Sequence, residues 1–179
     1  MVLTVVKYGN PTLRKKGALI GNVTPEIIQL IDEMFETMYA AKGVGLAAQQ
    51  VGRALQLTVI DVRGLKDRPS RAWLNGEEVS PETLMPLTLI NPVLKPVGSR
   101  VRGPEGCLSF PELYAEIERP SEVWVSALNA QGQPIEFRAG GLLSRAIQHE
   151  TGTRMLSPGV TETLPALSPR TTRPAETSA

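Results

Sequence analysis

The sequence predicts an α+β fold in a single domain. A helical stretch is followed by several short strands and then by a second helical stretch, and this order favours α+β over a regular alternation of strands and helices. The chain of 179 residues is long enough for one hydrophobic core and too short to suggest two. With 41% hydrophobic residues, it has the apolar side chains that such a core requires.

The first helix is predicted over residues 24–41. Thr24 stands where an N-cap residue is expected, and Pro25 suits the first turn of a helix. The apolar residues that follow have the spacing of one helix face. These residues are Ile27, Ile28, Ile31, Met34, Phe35 and Met38.

Two short strands are predicted in the middle of the chain. The β-branched residues of 55–62 indicate one strand, and residues 87–90 indicate another that ends before Asn91-Pro92. Polar residues dominate the stretch 63–82, so we expect an exposed loop there.

A hairpin and a second helix are predicted toward the end of this region. Residues 123–125 and 135–137 have strand character and flank a glycine-containing turn at 130–133. Gly140-Gly141 then precedes residues that suit the buried face of a helix. These are Leu142, Leu143, Ala146 and Ile147.

Composition excludes several classes of protein. A formal net charge of +1 gives no strong field for nucleic acid or anionic lipid. No apolar run approaches the roughly 18 residues of a membrane span, and the first residues lack the bias of a secretory signal. The single cysteine, Cys107, excludes an internal disulfide and fits a reducing compartment. We therefore expect a cytoplasmic protein.

The segment 43–50 reads Gly-Val-Gly-Leu-Ala-Ala-Gln-Gln and follows the first helix. Its small residues let the backbone pass close to a neighbour or a ligand. Taken alone, the segment is weak evidence, because a tight turn packed under the core is the better interpretation for most such segments. That interpretation leaves Gln50 unexplained, because its neutral amide could steady a developing oxyanion.

The segment 105–109, Glu-Gly-Cys-Leu-Ser, places the only thiol beside a carboxylate. Arg100 and Arg102 precede it and could help to hold Cys107 as a thiolate. A lone cysteine is more often a small buried hydrophobe than a ligand. The interpretation of Cys107 as a ligand therefore depends on a partner elsewhere in the chain.

That partner is found in Gln148-His149-Glu150, near the end of the second predicted helix. These residues resemble the start of His-Glu-x-x-His, in which two imidazoles on one helix face hold a metal. The second imidazole would be residue 153, which is Thr153. Because His149 is the only histidine, any mechanism that needs two imidazoles from this chain is excluded.

Together, these three segments resemble the signature motifs of the peptide deformylase family. The resemblance runs from Val5 to Glu150 and includes residues 8–14 and Ile90-Asn91-Pro92. It implies antiparallel or mixed strands packed around a C-terminal helix that carries the His-Glu motif. The implied activity removes the N-formyl group from the initiator methionine of nascent polypeptides. The protein would meet these substrates near the ribosome.

The resemblance also assigns roles to residues. It implies a ferrous ion, replaceable by Ni²⁺ or Zn²⁺, held by one cysteine and two histidines, which makes Cys107 and His149 metal ligands. Glu150 would be the general base and then the proton donor. The Gln50 amide and the Leu108 backbone N–H would hold the oxyanion.

The same resemblance gives Gly45 a part in substrate binding. Glycines around this position would let the extended backbone of the substrate run alongside that strand.

The chain departs from the family pattern at two positions, where Gly152 and Thr153 replace an aspartate and the second histidine. A threonine hydroxyl is a weak, neutral ligand, so we expect weak metal binding and impaired activity. An alternative is a catalytically inactive remnant that binds N-terminal peptides without a competent metal site. A structural protein with a chance set of motifs is the third alternative.

The composition changes after Glu150, which we take as the end of a deformylase-like domain over residues 1–150. Residues 151–179 hold seven threonines and four prolines but no lysine or aromatic residue. We expect this tail to be disordered, and we expect the second helix to end near Gly152. One hypothesis is a slip of the reading frame near codon 151, which resequencing of the coding DNA would test.

Overall fold

The computed structural model describes residues 1–152, except for the side chains of residues 111–113. Two helices, α1 and α2, pack against a sheet of seven strands within the described residues, so the predicted α+β fold is confirmed. The helices are α1 Pro25–Ala40 and α2 Gly141–Thr151. The strands are β1 Gly45–Ala47, β2 Leu57–Ile60, β3 Ser70–Leu74, β4 Glu77–Val79, β5 Leu87–Cys107, β6 Phe110–Leu128 and β7 Pro134–Gly140.

The sheet has the order β1-β2-β5-β6-β7-β3-β4, and each of its neighbouring strand pairs is antiparallel. β1 therefore lies at one edge of the sheet. β5 and β6 form a long hairpin in which Cys107 pairs with Phe110, so the turn between them consists of Leu108 and Ser109. This hairpin carries Cys107 to its tip.

The helix predicted over residues 24–41 is confirmed as α1, with Pro25 in its first turn. Thr24 occupies the N-cap position, although its side chain makes no capping hydrogen bond. The buried face of α1 packs on residues of β1 and β2 in one hydrophobic cluster. Its fully or nearly buried members are Leu30, Ile31, Met34 and Met38.

The predicted hairpin and second helix are also confirmed. Val125 pairs with Phe137 across β6 and β7, and both side chains are buried. α2 follows directly, and the four residues predicted for its buried face lie in the core. Gly141 has φ +63, and a Cβ there would collide with the Pro69 carbonyl. The start of α2 therefore requires glycine.

The prediction of an exposed loop over residues 63–82 is wrong, because this stretch contains β3 and β4. The two strands are joined by Asn75-Gly76, both with positive φ, which is a turn suited to a two-residue hairpin. β3 also pairs with β7 and so extends the sheet. The polar residues misled the prediction, since β4 lies at the solvent-facing edge of the sheet.

The strand predicted to end before Asn91-Pro92 instead continues to Cys107 as β5. Asn91 has φ +51, and the pairing register shifts between Ile90 and Val93. Asn91-Pro92 therefore lies in a β-bulge, and the strand continues beyond it. The Asn91 side chain bonds both backbone groups of Ile20, accepting from N–H at 2.9 Å and donating to the carbonyl at 2.8 Å.

Among the described residues, neither helix combines the length and the apolar character needed to cross a membrane. The tail predicted to be disordered lies, apart from Thr151 and Gly152, outside the described residues. Thr151 is the last residue of α2 and Gly152 is its C-cap, so the helix ends where its sequence predicted.

Candidate active site

The last turn of α2 carries His149 and Glu150. The helix is anchored at its start, where the Leu142 N–H donates to Pro69 O at 3.1 Å and the Leu143 N–H donates to Ser70 Oγ at 3.1 Å. The buried face of the helix packs against the sheet. Anchoring and packing together direct the last turn of α2 toward β1 and the tip of the β5–β6 hairpin.

Gln50 and Cys107 meet at this point. The Ala47 N–H donates to Gln50 Oε1 at 2.8 Å, which fixes the oxygen end of the amide. The nitrogen end therefore faces the site, where Nε2 donates to Cys107 Sγ at 3.4 Å. Gln50 is 2% exposed, so its amide donor is held in a place that solvent barely reaches.

His149 is oriented by Glu105, whose carboxylate is buried. The His149 Nδ1 lies 2.8 Å from Glu105 Oε2. Arg119 donates to both Glu105 oxygens, at 2.6 and 2.8 Å, and Arg145 donates to Oε1 at 2.8 Å. Arg145 also bonds the carbonyl of Ile117, at 2.9 Å. This Glu105 network therefore connects α2 to the hairpin.

The sequence motifs did not predict this network. Arg100 and Arg102 were expected to act on the thiol, but Arg100 pairs with Glu118 at the surface. The two arginines that act on the site, Arg119 and Arg145, are separated from Glu105 by 14 and 40 residues. The available signal was Glu105 itself, because a carboxylate next to a buried turn requires partners.

The network shifts two pKa values in the protein without a metal ion. Burial by itself raises the pKa of Glu105, but hydrogen bonds from His149 and Arg119 outweigh it and lower this pKa to about 2. Burial by itself lowers the pKa of His149, but the Cys107 and Glu105 side chains, together with the Glu150 charge, raise it to about 10. Glu105 is therefore a carboxylate that favours a proton on His149 Nδ1.

Glu150 is enclosed by β1. A Cβ added at Gly45 would lie 2.7 Å from Glu150 Cγ and 2.9 Å from Oε1, so glycine is required for the carboxyl to fit. Burial raises the pKa of Glu150, while His149 and the Ala47 backbone partly oppose this. The space that Gly45 leaves thus belongs to Glu150, a role that the motif alone did not indicate.

Two buried atoms at the end of α2, His149 Nε2 and Glu150 Oε2, make no well-formed hydrogen bond within the described residues. Both residues line an open cleft, together with Leu13, Ala47 and Gln50. Leu13 belongs to the Asn-Pro-Thr-Leu segment, for which sequence analysis gave no role. Unpaired buried polar atoms are costly, and their concentration at a cleft is typical of a reactive site.

The donor chemistry on the Nε2 side fits a divalent metal. Cys107 and His149 offer a thiol sulfur and an imidazole nitrogen, the ligands that Zn²⁺ and other first-row ions accept in proteins. The part of the chain that the structure describes contains no group of three or more His, Cys, Asp or Glu residues suited to hold an ion. Thr153 lies outside the described residues. Among the described residues, the site thus offers two potential metal ligands.

Comparison with known proteins agrees with the motifs. The family model for polypeptide deformylase matches residues 2–154. The peptide deformylase of Methylacidiphilum infernorum is 49% identical over 150 residues, which are 84% of this chain and 78% of that protein. That of Acinetobacter baumannii is 41% identical over 150 residues, or 83% of this chain and 76% of the relative.

Solved structures give the same result. A peptide deformylase from Ehrlichia chaffeensis in complex with actinonin is 31% identical, with a TM-score of 0.73, and the match covers 85% of this chain and 83% of that one. The complex of the Synechococcus elongatus enzyme with actinonin is 38% identical, with a TM-score of 0.71 and coverages of 84% and 72%. The chain therefore belongs to the peptide deformylase family of hydrolases.

Proposed function

We propose that this protein hydrolyses the N-formyl group of N-formylmethionyl peptides and so acts on nascent chains. The observation that carries the proposal is the position of Glu150. Its carboxyl is buried against Gly45, one of its oxygens has no hydrogen-bond partner among the described residues, and the neighbouring residue on the helix is His149. A buried carboxyl at a cleft, beside two potential metal ligands, has the position and the raised pKa expected of a general acid–base group.

Cys107 and His149 would hold the metal ion on which this family depends. We propose Fe²⁺, with Ni²⁺ or Zn²⁺ as substitutes. When bound, such an ion supplies Lewis-acid polarisation and makes water more acidic. Glu105 supports this role by accepting from His149 Nδ1, which leaves Nε2 for the ion.

Glu150 would move the proton that hydrolysis requires. As the water oxygen bonds to the formyl carbon, the Glu150 carboxylate accepts a proton from that water. It then delivers the proton to the departing nitrogen as the C–N bond breaks, and the products are formate and a free amine.

Gln50 and Leu108 would stabilise the charge that develops on the formyl oxygen. The Gln50 Nε2 donor is held in place by the bond between Oε1 and the Ala47 N–H. The Leu108 N–H lies in the turn next to Cys107. Donors that are fixed before reaction need no reorganisation, and losing one typically costs about 10²–10³-fold in rate.

The edge strand β1 would align the substrate. Within residues 1–152, β1 pairs with β2 on one side only, so its other edge can pair with an extended peptide. In this proposal, Gly45 contributes to substrate binding through its backbone, while its missing side chain makes room for Glu150.

We further propose that activity is impaired, because the described residues supply two ligands and position 153 is a threonine. The alternative is an inactive remnant that binds N-terminal peptides at β1 without a competent metal. For either, we propose a cytoplasmic location near the ribosome and no direct contact with nucleic acid or membrane.

The deciding experiment is the metal content of protein purified anaerobically, measured together with formate release from a formyl-methionyl peptide. Bound iron and formate release would support the enzyme. Failure to bind any divalent ion at micromolar concentration would exclude it, and peptide binding without metal would favour the remnant. Thiol labelling adds an independent test, because Cys107 should react more slowly after Ni²⁺ is added. An equal labelling rate with and without Ni²⁺ would mean that Cys107 is not a ligand.

A further inference from the structure

Residues 6–8 bridge two elements of the site. The Val6 N–H donates to Gln50 O at 2.8 Å, and the Tyr8 N–H donates to Ser109 O at 3.0 Å. Gln50 follows β1, whereas Ser109 lies in the turn at the tip of the β5–β6 hairpin. This N-terminal bridge therefore joins the two elements that carry the proposed oxyanion donors.

Leu108 packs against the hydrophobic cluster that contains Leu46 and Ala48, but the hydrogen bond that joins these two elements directly is weaker than those of the bridge. It runs from Gln50 Nε2 to Cys107 Sγ at 3.4 Å, and sulfur is a weak hydrogen-bond acceptor. The bonds made by Val6 and Tyr8 have the ordinary distances of backbone N–H···O bonds. The spacing of the two donors should therefore depend on the bridge.

Lys7 adds a side-chain contact to the same turn. Its Nζ donates to Leu108 O at 3.0 Å, next to the bond between Tyr8 and Ser109. The Tyr8 ring also contacts the Phe110 ring, with 4.8 Å between centroids. Two adjacent residues thus contact three consecutive residues at the hairpin tip, and both carbonyls of the two-residue turn are held.

We propose that Lys7 is a positioning residue for the oxyanion site. Its ammonium group holds the Leu108 carbonyl, which restricts rotation of the turn and keeps the Leu108 N–H in the orientation that reaction requires. The inference rests on the proposed function, since that function gives the Leu108 N–H its role. Because Lys7 is exposed, water competes for its bond, so the contribution to global stability is small and the effect is local.

The test compares Lys7→Met, which removes the ammonium group, with Lys7→Arg, which keeps a charged donor. Lys16→Met is the matched control, because Lys16 is another exposed lysine of the same N-terminal region. Amide hydrogen exchange at Leu108 and Ser109, measured by NMR on metal-free protein, reports the order of the turn without any need for activity. Formate release gives kcat and KM.

In Lys7→Met, exchange at the turn should be faster by about 2- to 10-fold, the effect of one hydrogen bond. We expect kcat to fall by a similar factor with KM unchanged, while Lys7→Arg and Lys16→Met resemble the parent. Unchanged exchange in Lys7→Met would overturn the proposal, as would faster exchange with an unchanged kcat. If the parent releases no formate, the proposed function fails, and the exchange rates alone decide whether Lys7 orders the turn.

Discussion

The N-terminal end of α2 is anchored by polar contacts with Ser70 of β3 and with Pro69 just before it, whereas its C-terminal end carries buried polar atoms that make no well-formed hydrogen bond with any described residue. At the first end, Ser70 and Pro69 satisfy backbone N–H groups that a helix start leaves unpaired. At the second end, the buried atoms His149 Nε2 and Glu150 Oε2 make no well-formed hydrogen bond within the part of the chain that the structure describes. One end of α2 therefore stabilises the fold, whereas the other end carries the free-energy cost of burying polar atoms.

His149 shows the same contrast within a single side chain. Its Nδ1 side meets Glu105, which is saturated by Arg119 and Arg145. Its Nε2 side faces Cys107 and the cleft. A reactive site needs a side chain that is held rigidly on one side and keeps a polar atom available on the other, because the orientation of the side chain must be fixed before the reaction begins. Four variants test this division.

Replacing Glu150 should have the largest effect. It should lower the activity without lowering the stability of the protein. Glu150→Gln keeps the shape of the side chain but removes its proton transfer, which supplies roughly 10²–10⁴-fold in rate. Because burial disfavours the charge of Glu150, the variant should unfold at no lower denaturant concentration than the parent. Formate release and urea unfolding measure the two quantities. With Glu116→Gln as an exposed control, unchanged activity in Glu150→Gln would assign catalysis to another group.

Replacing Glu105 should act mainly on stability. Glu105→Gln leaves the charges of Arg119 and Arg145 without a carboxylate in a largely buried setting, and breaking a buried ion pair costs about 3–5 kcal/mol. Glu118→Gln, which removes an exposed partner of Arg100, should cost about 0–1 kcal/mol. Equal losses of unfolding free energy in the two variants would show that the network does not stabilise the site.

The effect of Glu105→Gln on the unfolding free energy should depend on pH. The pKa of Glu105 in the folded protein is about 2, below its ordinary value of 4.5. Its contribution to stability is therefore complete above about pH 4.5 and is lost as the pH falls toward 2. The difference in unfolding free energy between parent and Glu105→Gln, both metal-free, should shrink between pH 6 and pH 3. A constant difference would contradict the assignment.

Restoring the missing ligand should strengthen the C-terminal end. A Cβ at Gly152 would lie 2.6 Å from Gln148 O, so Gly152→Asp cannot keep the present conformation and should favour continuation of the helix. Thr153→His would then project from the face of His149, four residues earlier. Metal affinity in the double variant should rise by more than roughly 10–100-fold. The rate of formate release should rise with it.

Thr153→His alone is the control for this pair and should gain less. Metal stoichiometry and deformylation rate are measured on anaerobic preparations. If the double variant gains neither, the missing histidine is not the only defect, and loss of a longer C-terminal helix becomes the better explanation.

Removing the anchor at the other end should have the smallest effect. Ser70→Ala deletes the acceptor for the Leu143 N–H and should cost about 1 kcal/mol of unfolding free energy. Ser80→Ala is the matched control, because Ser80 accepts a longer bond, at 3.4 Å, at an exposed turn. A loss of deformylation without a loss of stability in Ser70→Ala would contradict the division between the two ends.

Short patterns in the sequence were enough to predict both helices, the β6–β7 hairpin and the family. Helix periodicity and hairpin turns are local patterns, so the apolar face of α1 and the Gly140-Gly141 start of α2 were visible in short windows. The family motifs are likewise short runs of residues. Asn75-Gly76 was a local signal of the same kind, and the polar composition around it hid the β3–β4 hairpin.

The contacts between distant residues of the site could not be predicted from such patterns. The Glu105 carboxylate and the His149 ring are 44 residues apart in the chain, and Lys7 lies 101 residues before the carbonyl that it holds. Gly45 has meaning only beside Glu150, from a different element. Such contacts depend on how the sheet aligns its strands and on where α2 packs, and no periodicity in the sequence encodes either.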